Sequence, residues 1–113
     1  MIIIVTRHPG AIEWLRTNGF SGEVVSHLAA DTIFPGNIYI GVLPLPMIQR
    51  ILDAGSRFYL LVMPEISLVQ RDREMTPGEM DEAGARLIEV KRIVLEPVEV
   101  QAKSRTNDDP KNV

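Results

Sequence analysis

The stretch Ile2-Ile3-Ile4-Val5-Thr6-Arg7-His8-Pro9-Gly10 decides how this chain is read. Ile2 to Thr6 is an unbroken β-branched run, the pattern of a strand buried on both faces. Arg7 and His8 follow. Then comes Pro9, which suits a first helical turn because the N–H it lacks has no partner there anyway. A buried strand that passes through a short polar loop into a helix opens an α/β unit. In open α/β sheets the ligand sits at such places, beyond the carboxyl ends of the strands.

Working outward, Ala11 to Asn18 reads as a short helix with Ile12 and Leu15 inward and Gly19 as its stop. Glu23 to Leu28 is a second strand. Ala29 to Asn37 is a connection holding Asp31 and the turn pair Pro35-Gly36. It is short for a full crossover helix, which leaves the direction of the second strand open. Ile38 to Val42 is a third strand. Pro44 to Ala54 is a helix with Met47, Ile48, Ile51 and Leu52 at helical spacing, closed by Gly55. Arg57 to Met63 is a fourth strand, and Pro64 to Met75 a long irregular segment. Thr76-Pro77-Gly78-Glu79 is a capping box that predicts a helix to about Lys91. Ile93 to Val100 reads as a last strand, at an edge because of Pro97. Gln101 to Val113 is polar and aperiodic, a disordered tail. The alternation predicts one α/β domain over 1–100, a mostly parallel sheet flanked by helices, with a tail over 101–113.

Composition limits the function. Without cysteine there is no disulfide and no thiolate metal site, which fits a reducing, cytoplasmic setting. No apolar run approaches the roughly 18 residues of a membrane span, and Met1 to Val5 is too short for a signal-peptide core. Twelve Lys and Arg face fifteen Asp and Glu, a net charge of -3. That balance argues against a sheath of contacts to bulk nucleic acid, so a phosphate ligand must be held by a few local groups. The two histidines lack metal-ligand spacing, and neither a metal nor a cofactor is expected.

Two loops are candidates for the site: Thr6-Arg7-His8-Pro9-Gly10, and Gly41-Val42-Leu43-Pro44 after the third strand. If the first and third strands are neighbours, these loops flank one crevice. The first suits an anion. Helix-start N–H groups carry partial positive charge, and Arg7 brings a fork of donors matched to phosphate. Thr6 adds a hydroxyl, and His8 can donate, accept or shuttle a proton. The plainer alternative makes Arg7 a surface ion-pair partner and His8 a satisfied turn residue. Arg71 and Arg73 lie in the long segment among Asp72 and Glu74, a mixed run that usually marks a solvated face. Trp14 can stack on a base, but a lone Trp on a short amphipathic helix is more often core. His27, at a strand end, reads as structural.

The run Val5-Thr6-Arg7-His8-Pro9-Gly10-Ala11-Ile12-Glu13-Trp14 resembles the opening signature of a CRISPR-associated family, the Csx-sixteen or VVA-type family found beside type III systems. The likeness continues through Ile40-Gly41-Val42-Leu43-Pro44, Gly55-Ser56-Arg57-Phe58-Tyr59, Arg73-Glu74-Met75 and Gly84-Ala85-Arg86-Leu87. The resemblance implies a minimal Rossmann-like, CARF-like domain working as a homodimer. It also implies a ring nuclease that cleaves cyclic tetraadenylate and so ends the antiviral signal. It carries a ligand role onto Thr6, Arg7, His8, Pro9 and Gly10, and onto Gly41, Leu43, Pro44 and Arg73, with Arg7 and His8 as catalytic residues. Such chemistry is accessible without metal. An RNA ring holds its own nucleophile, the ribose 2′-hydroxyl, which needs alignment and charge stabilisation.

Three other readings stand beside it, the plainest being a structural partner protein with no small ligand. The same loop can bind a cyclic oligoadenylate without cutting it, as a sensor or sponge. Alternatively, Thr6-Arg7-His8 after a strand resembles the Arg-His-Gly opening of histidine phosphatases. There Pro9 replaces the expected glycine, the chain is about half the usual length, and only His27 is available as the second histidine.

Overall fold

The computed structural model describes residues 1–63, 69–70 and 73–101, with backbone alone at 69–70 and 73–74. Five strands form the main sheet: β1 (Ile2–Val5), β2 (Glu23–Val25), β3 (Ile38–Gly41), β4 (Arg57–Val62) and, last in sequence, β7 (Arg86–Val90). They lie in the order β2-β1-β3-β4-β7. The first four are mutually parallel and β7 is antiparallel to β4. The direction left open for the second strand is thus parallel. A two-stranded hairpin, β5 (Val69–Gln70) with β6 (Arg73–Glu74), lies within the segment expected to be irregular. Among the described residues no helix is long and apolar enough to cross a membrane.

The strand sequences place their side chains alternately on two faces, and each face is covered. Helix α1 (Pro9–Thr17) and helix α3 (Pro77–Glu82) cover one, where Ala11, Trp14, Leu15 and Met80 pack with Ile4, Ile40 and Leu61. Helix α2 (Leu45–Asp53) covers the other, where Ile48 and Ile51 pack with Ile3, Val5, Tyr39, Phe58 and Leu28. This is a small Rossmann-like α/β fold, the architecture the alternation of elements predicts. Trp14 is core: it is buried, and its indole N–H donates to Asp81 Oδ1 at 2.6 Å, tying α1 to α3.

The expected helix from Thr76 to Lys91 is corrected. Its capping box is present, with Thr76 and Glu79 bonded reciprocally, but the helix stops at Glu82. Gly84 takes φ 98, the Ala85 N–H donates to the Met80 carbonyl and the Gly84 N–H to the Asp81 carbonyl. That pair of bonds is the Schellman ending. Helices α1 and α2 close the same way, on Gly19 and Gly55. The chain then re-enters the sheet as β7. The expected strand over Ile93 to Val100 is also corrected, since those residues have no regular secondary structure. Pro97 can give no ladder N–H, and the segment pairs with neither edge strand of the sheet.

Between β4 and β7, Arg57 donates to both carboxylate oxygens of Glu89, at 3.0 and 3.1 Å, and its guanidinium lies over the Tyr59 ring. The hydrogen bond and charge of Arg57 hold the Glu89 carboxyl below its ordinary value of 4.5. A lowered folded pKa means that this contribution is present above the ordinary carboxylate range. It is lost as pH falls through the lowered value. Glu89→Gln should therefore be slightly less stable than the parent chain near neutrality, and the gap should close in acid. Urea unfolding of both proteins across that range checks it. A gap that is the same at neutral and acid pH would contradict it. The effect is small because the pair is exposed.

Candidate functional site

The order β2-β1-β3-β4 places the topological switch point between β1 and β3. The chain leaves β1 toward the face of α1 and leaves β3 toward the face of α2, so the two loops diverge and a crevice opens between them. A cleft of about 650 Å³ lies there. The loop after β1 contributes Thr6, Arg7 and His8, and the loop after β3 contributes Val42, Leu43 and Pro44. A third wall comes from Ser26, His27 and Leu28 after β2, and Met47, Leu61 and Met63 complete the apolar lining.

The close approach of the first two loops depends on Gly41. A Cβ built there would stand 2.6 Å from the Val5 carbonyl oxygen, so only glycine lets β3 end so near β1. Gly41 is buried and does not itself line the cleft. Pro9 and Gly10 open α1 without lining it either; Pro9 is exposed and Gly10 buried. Arg73 lies in β6 and its side chain is outside the described residues, as is Arg71.

At the rim, the Thr6 hydroxyl accepts from the His8 backbone N–H at 3.2 Å, which fixes the turn into α1. His8 is the N-cap of α1 and makes no side-chain cap bond. The helix start offers fewer donors than its position suggests. Pro9 has no N–H, and the Ala11 N–H donates to the His8 carbonyl at 3.1 Å. Positive charge toward the cleft is therefore carried mainly by Arg7, which is exposed and, among the described residues, has no ion-pair partner.

His27 and Ser26 were not singled out for this site by the sequence. Their exposure follows from where β2 stops. The Thr6 N–H donates to the Val25 carbonyl at 3.0 Å, the last rung between β1 and β2. Past it, β1 turns away into α1 and the edge strand β2 loses its partner, so the expected strand to Leu28 ends at Val25. Among the described residues the cleft is lined by one arginine and two histidines and by no carboxylate, in a chain whose net charge is -3. No group of three or more His, Asp or Glu side chains among the described residues is placed to hold a metal ion.

No curated protein and no solved structure matches the chain. A family model described as "Putative CRISPR-associated protein (Cas_VVA1548)" matches residues 3–93, which includes the walls of the cleft. The chain belongs to this CRISPR-associated family.

Proposed function

We propose that the protein is a ring nuclease that opens cyclic tetraadenylate, a second messenger of type III CRISPR defence, by attack of the substrate's own 2′-hydroxyl. One observation carries the reading. The switch-point cleft of an acidic protein presents Arg7, His8 and His27 without any carboxylate among its described walls. A negative ligand is favoured there. The apolar wall of Leu43, Met47, Leu61 and Met63 offers the bases a dry surface. Arg7 is suited to the charge that builds on the non-bridging oxygens as the 2′-oxygen attacks phosphorus. The reaction needs no metal, since the nucleophile is part of the ring.

The test is incubation with cyclic tetraadenylate in EDTA, with products identified by mass. Linear fragments ending in a 2′,3′-cyclic phosphate are the expected result. Intact ring that co-elutes with the protein would replace this reading with that of a sensor or sponge. Turnover of a generic phosphomonoester would replace it with a phosphohydrolase, a reading that the presence of His27 in the same cleft as His8 favours.

The active form we propose is a homodimer. The cleft of one copy is open and small beside a ring of four nucleotides, whose rotational symmetry lets a two-fold pair present the same loop to opposite phosphates. Light scattering should give twice the chain mass in the presence of the ring. A monomer mass both with and without it would contradict the pairing.

A further inference from the structure

We propose that His8 and His27 divide the proton transfers of this reaction. One imidazole takes the proton of the ribose 2′-hydroxyl and the other gives a proton to the departing 5′-oxygen. The inference rests on the ring-opening reading above and adds to it a residue and a division of labour.

The placement of the two histidines carries it. Thr6 and Val25 form the last rung between β1 and β2. From that rung each chain runs two residues further and reaches a histidine, His8 on one side and His27 on the other. Both are exposed, both line the cleft, and Arg7 lines it beside His8. Among the described residues, His8 bonds only through its backbone and His27 bonds to nothing. Neither ring is engaged by a described part of the protein, so both nitrogens of each are accessible from the cleft. A ligand in the cleft can therefore reach both rings.

The chemistry asks for two such groups. In an in-line displacement the attacking 2′-oxygen and the leaving 5′-oxygen stand on opposite sides of phosphorus, so one side chain cannot serve both. The neutral imidazole accepts the 2′-hydroxyl proton, and the O2′–P bond forms. The P–O5′ bond breaks with its electron pair on the 5′-oxygen, which takes the proton of the second, protonated imidazole. The products are a 2′,3′-cyclic phosphate and a 5′-hydroxyl. The imidazoles end with their protonation states exchanged, and no further reactant is consumed. Arg7, the remaining ionisable side chain on the described walls, can neutralise the non-bridging oxygens throughout.

The experiment compares cyclic tetraadenylate with the same ring carrying sulfur in place of the bridging 5′-oxygens, in single turnover. A thiolate leaves without being protonated, so the sulfur ring needs the base and not the acid. His8→Ala and His27→Ala should each slow opening of the oxygen ring by about a hundredfold or more. On the sulfur ring one of them should return to within about tenfold of the parent protein while the other stays slow. The bell-shaped pH–rate profile of the parent should lose one limb in each variant. His27→Gln, which keeps a polar side chain but cannot transfer a proton, should fall as far as His27→Ala. Exposed and without hydrogen bonds among the described residues, His27 can be replaced without harm to folding. If the parent opens the ring and His27→Ala matches it, the division of roles is wrong and the ring nuclease survives. If both variants are slow and neither recovers on the sulfur ring, the proton roles are wrong. If the parent leaves both rings intact, both readings fall.

Discussion

Arg7→Ala is expected to open cyclic tetraadenylate about a hundredfold or more slowly in single turnover, with the fold unchanged. The size follows from what remains after the guanidinium is gone. The phosphorane gathers negative charge on its non-bridging oxygens, and a planar fork can bond two of them at once. The start of α1 is poorly able to take over, because Pro9 lacks an N–H and that of Ala11 is already donated to the His8 carbonyl. The competing view of Arg7, as half of a surface ion pair, has no partner to point to among the described residues. For the same reason the substitution should leave the thermal midpoint nearly in place. Arg7→Lys keeps the charge but loses the fork, and should fall between the two. Mass analysis of products in EDTA gives the rates; an Arg7→Ala protein as fast as its parent would refute the role.

The part of this site that the sequence makes legible is the part encoded locally. Ile2 to Val5 can hardly be anything but a buried strand, and a loop that follows it into Pro9 belongs at the carboxyl edge of the sheet. The pairing of the first and third strands, a condition in the sequence and a fact in the fold, then brings Thr6, Arg7, His8, Leu43 and Pro44 to one cleft. His27 escapes such a reading because its exposure is decided elsewhere in the chain. Nothing between Glu23 and Leu28 says that the strand must end at Val25. What ends it is the departure of β1 after Thr6, which removes the partner of an edge strand.

The misread end of α3 has a different cause. Gly84 was a local stop signal of the same kind as Gly19 and Gly55. Helical propensity in Glu82, Ala83 and Ala85 masks it, and the short run Arg86 to Val90 fits helix or strand about equally by periodicity. Its antiparallel pairing with β4, from Phe58↔Val90 to Val62↔Arg86, decides the matter. The exposed apolar residues Val94 and Val98 illustrate the converse, β-prone side chains in a segment that joins no sheet.

Phe58→Ala is expected to cost about 3–5 kcal/mol, a large part of the roughly 5–15 kcal/mol that holds a domain of this kind together. Phe58 is fully buried in β4, on the face covered by α2, among Tyr39, Ile48 and Ile51. Removing its ring takes away the transfer energy of the largest apolar group on that face. It also leaves a cavity that two rigid strands and a capped helix cannot collapse to fill. The loss reaches the site as well, because Val5 and Leu28 belong to the same cluster and stand immediately before Thr6 and after His27. The variant should therefore have a weakened cleft even where it remains folded. Val98→Ala is the matched control: with Val98 83% exposed, its stability should stay within about 0.5 kcal/mol of the parent. Urea unfolding of the three proteins reads both numbers. A loss for Phe58→Ala no larger than that of the control would mean that the face under α2 is loosely packed. The two-sided core would then not be what holds the three cleft loops together.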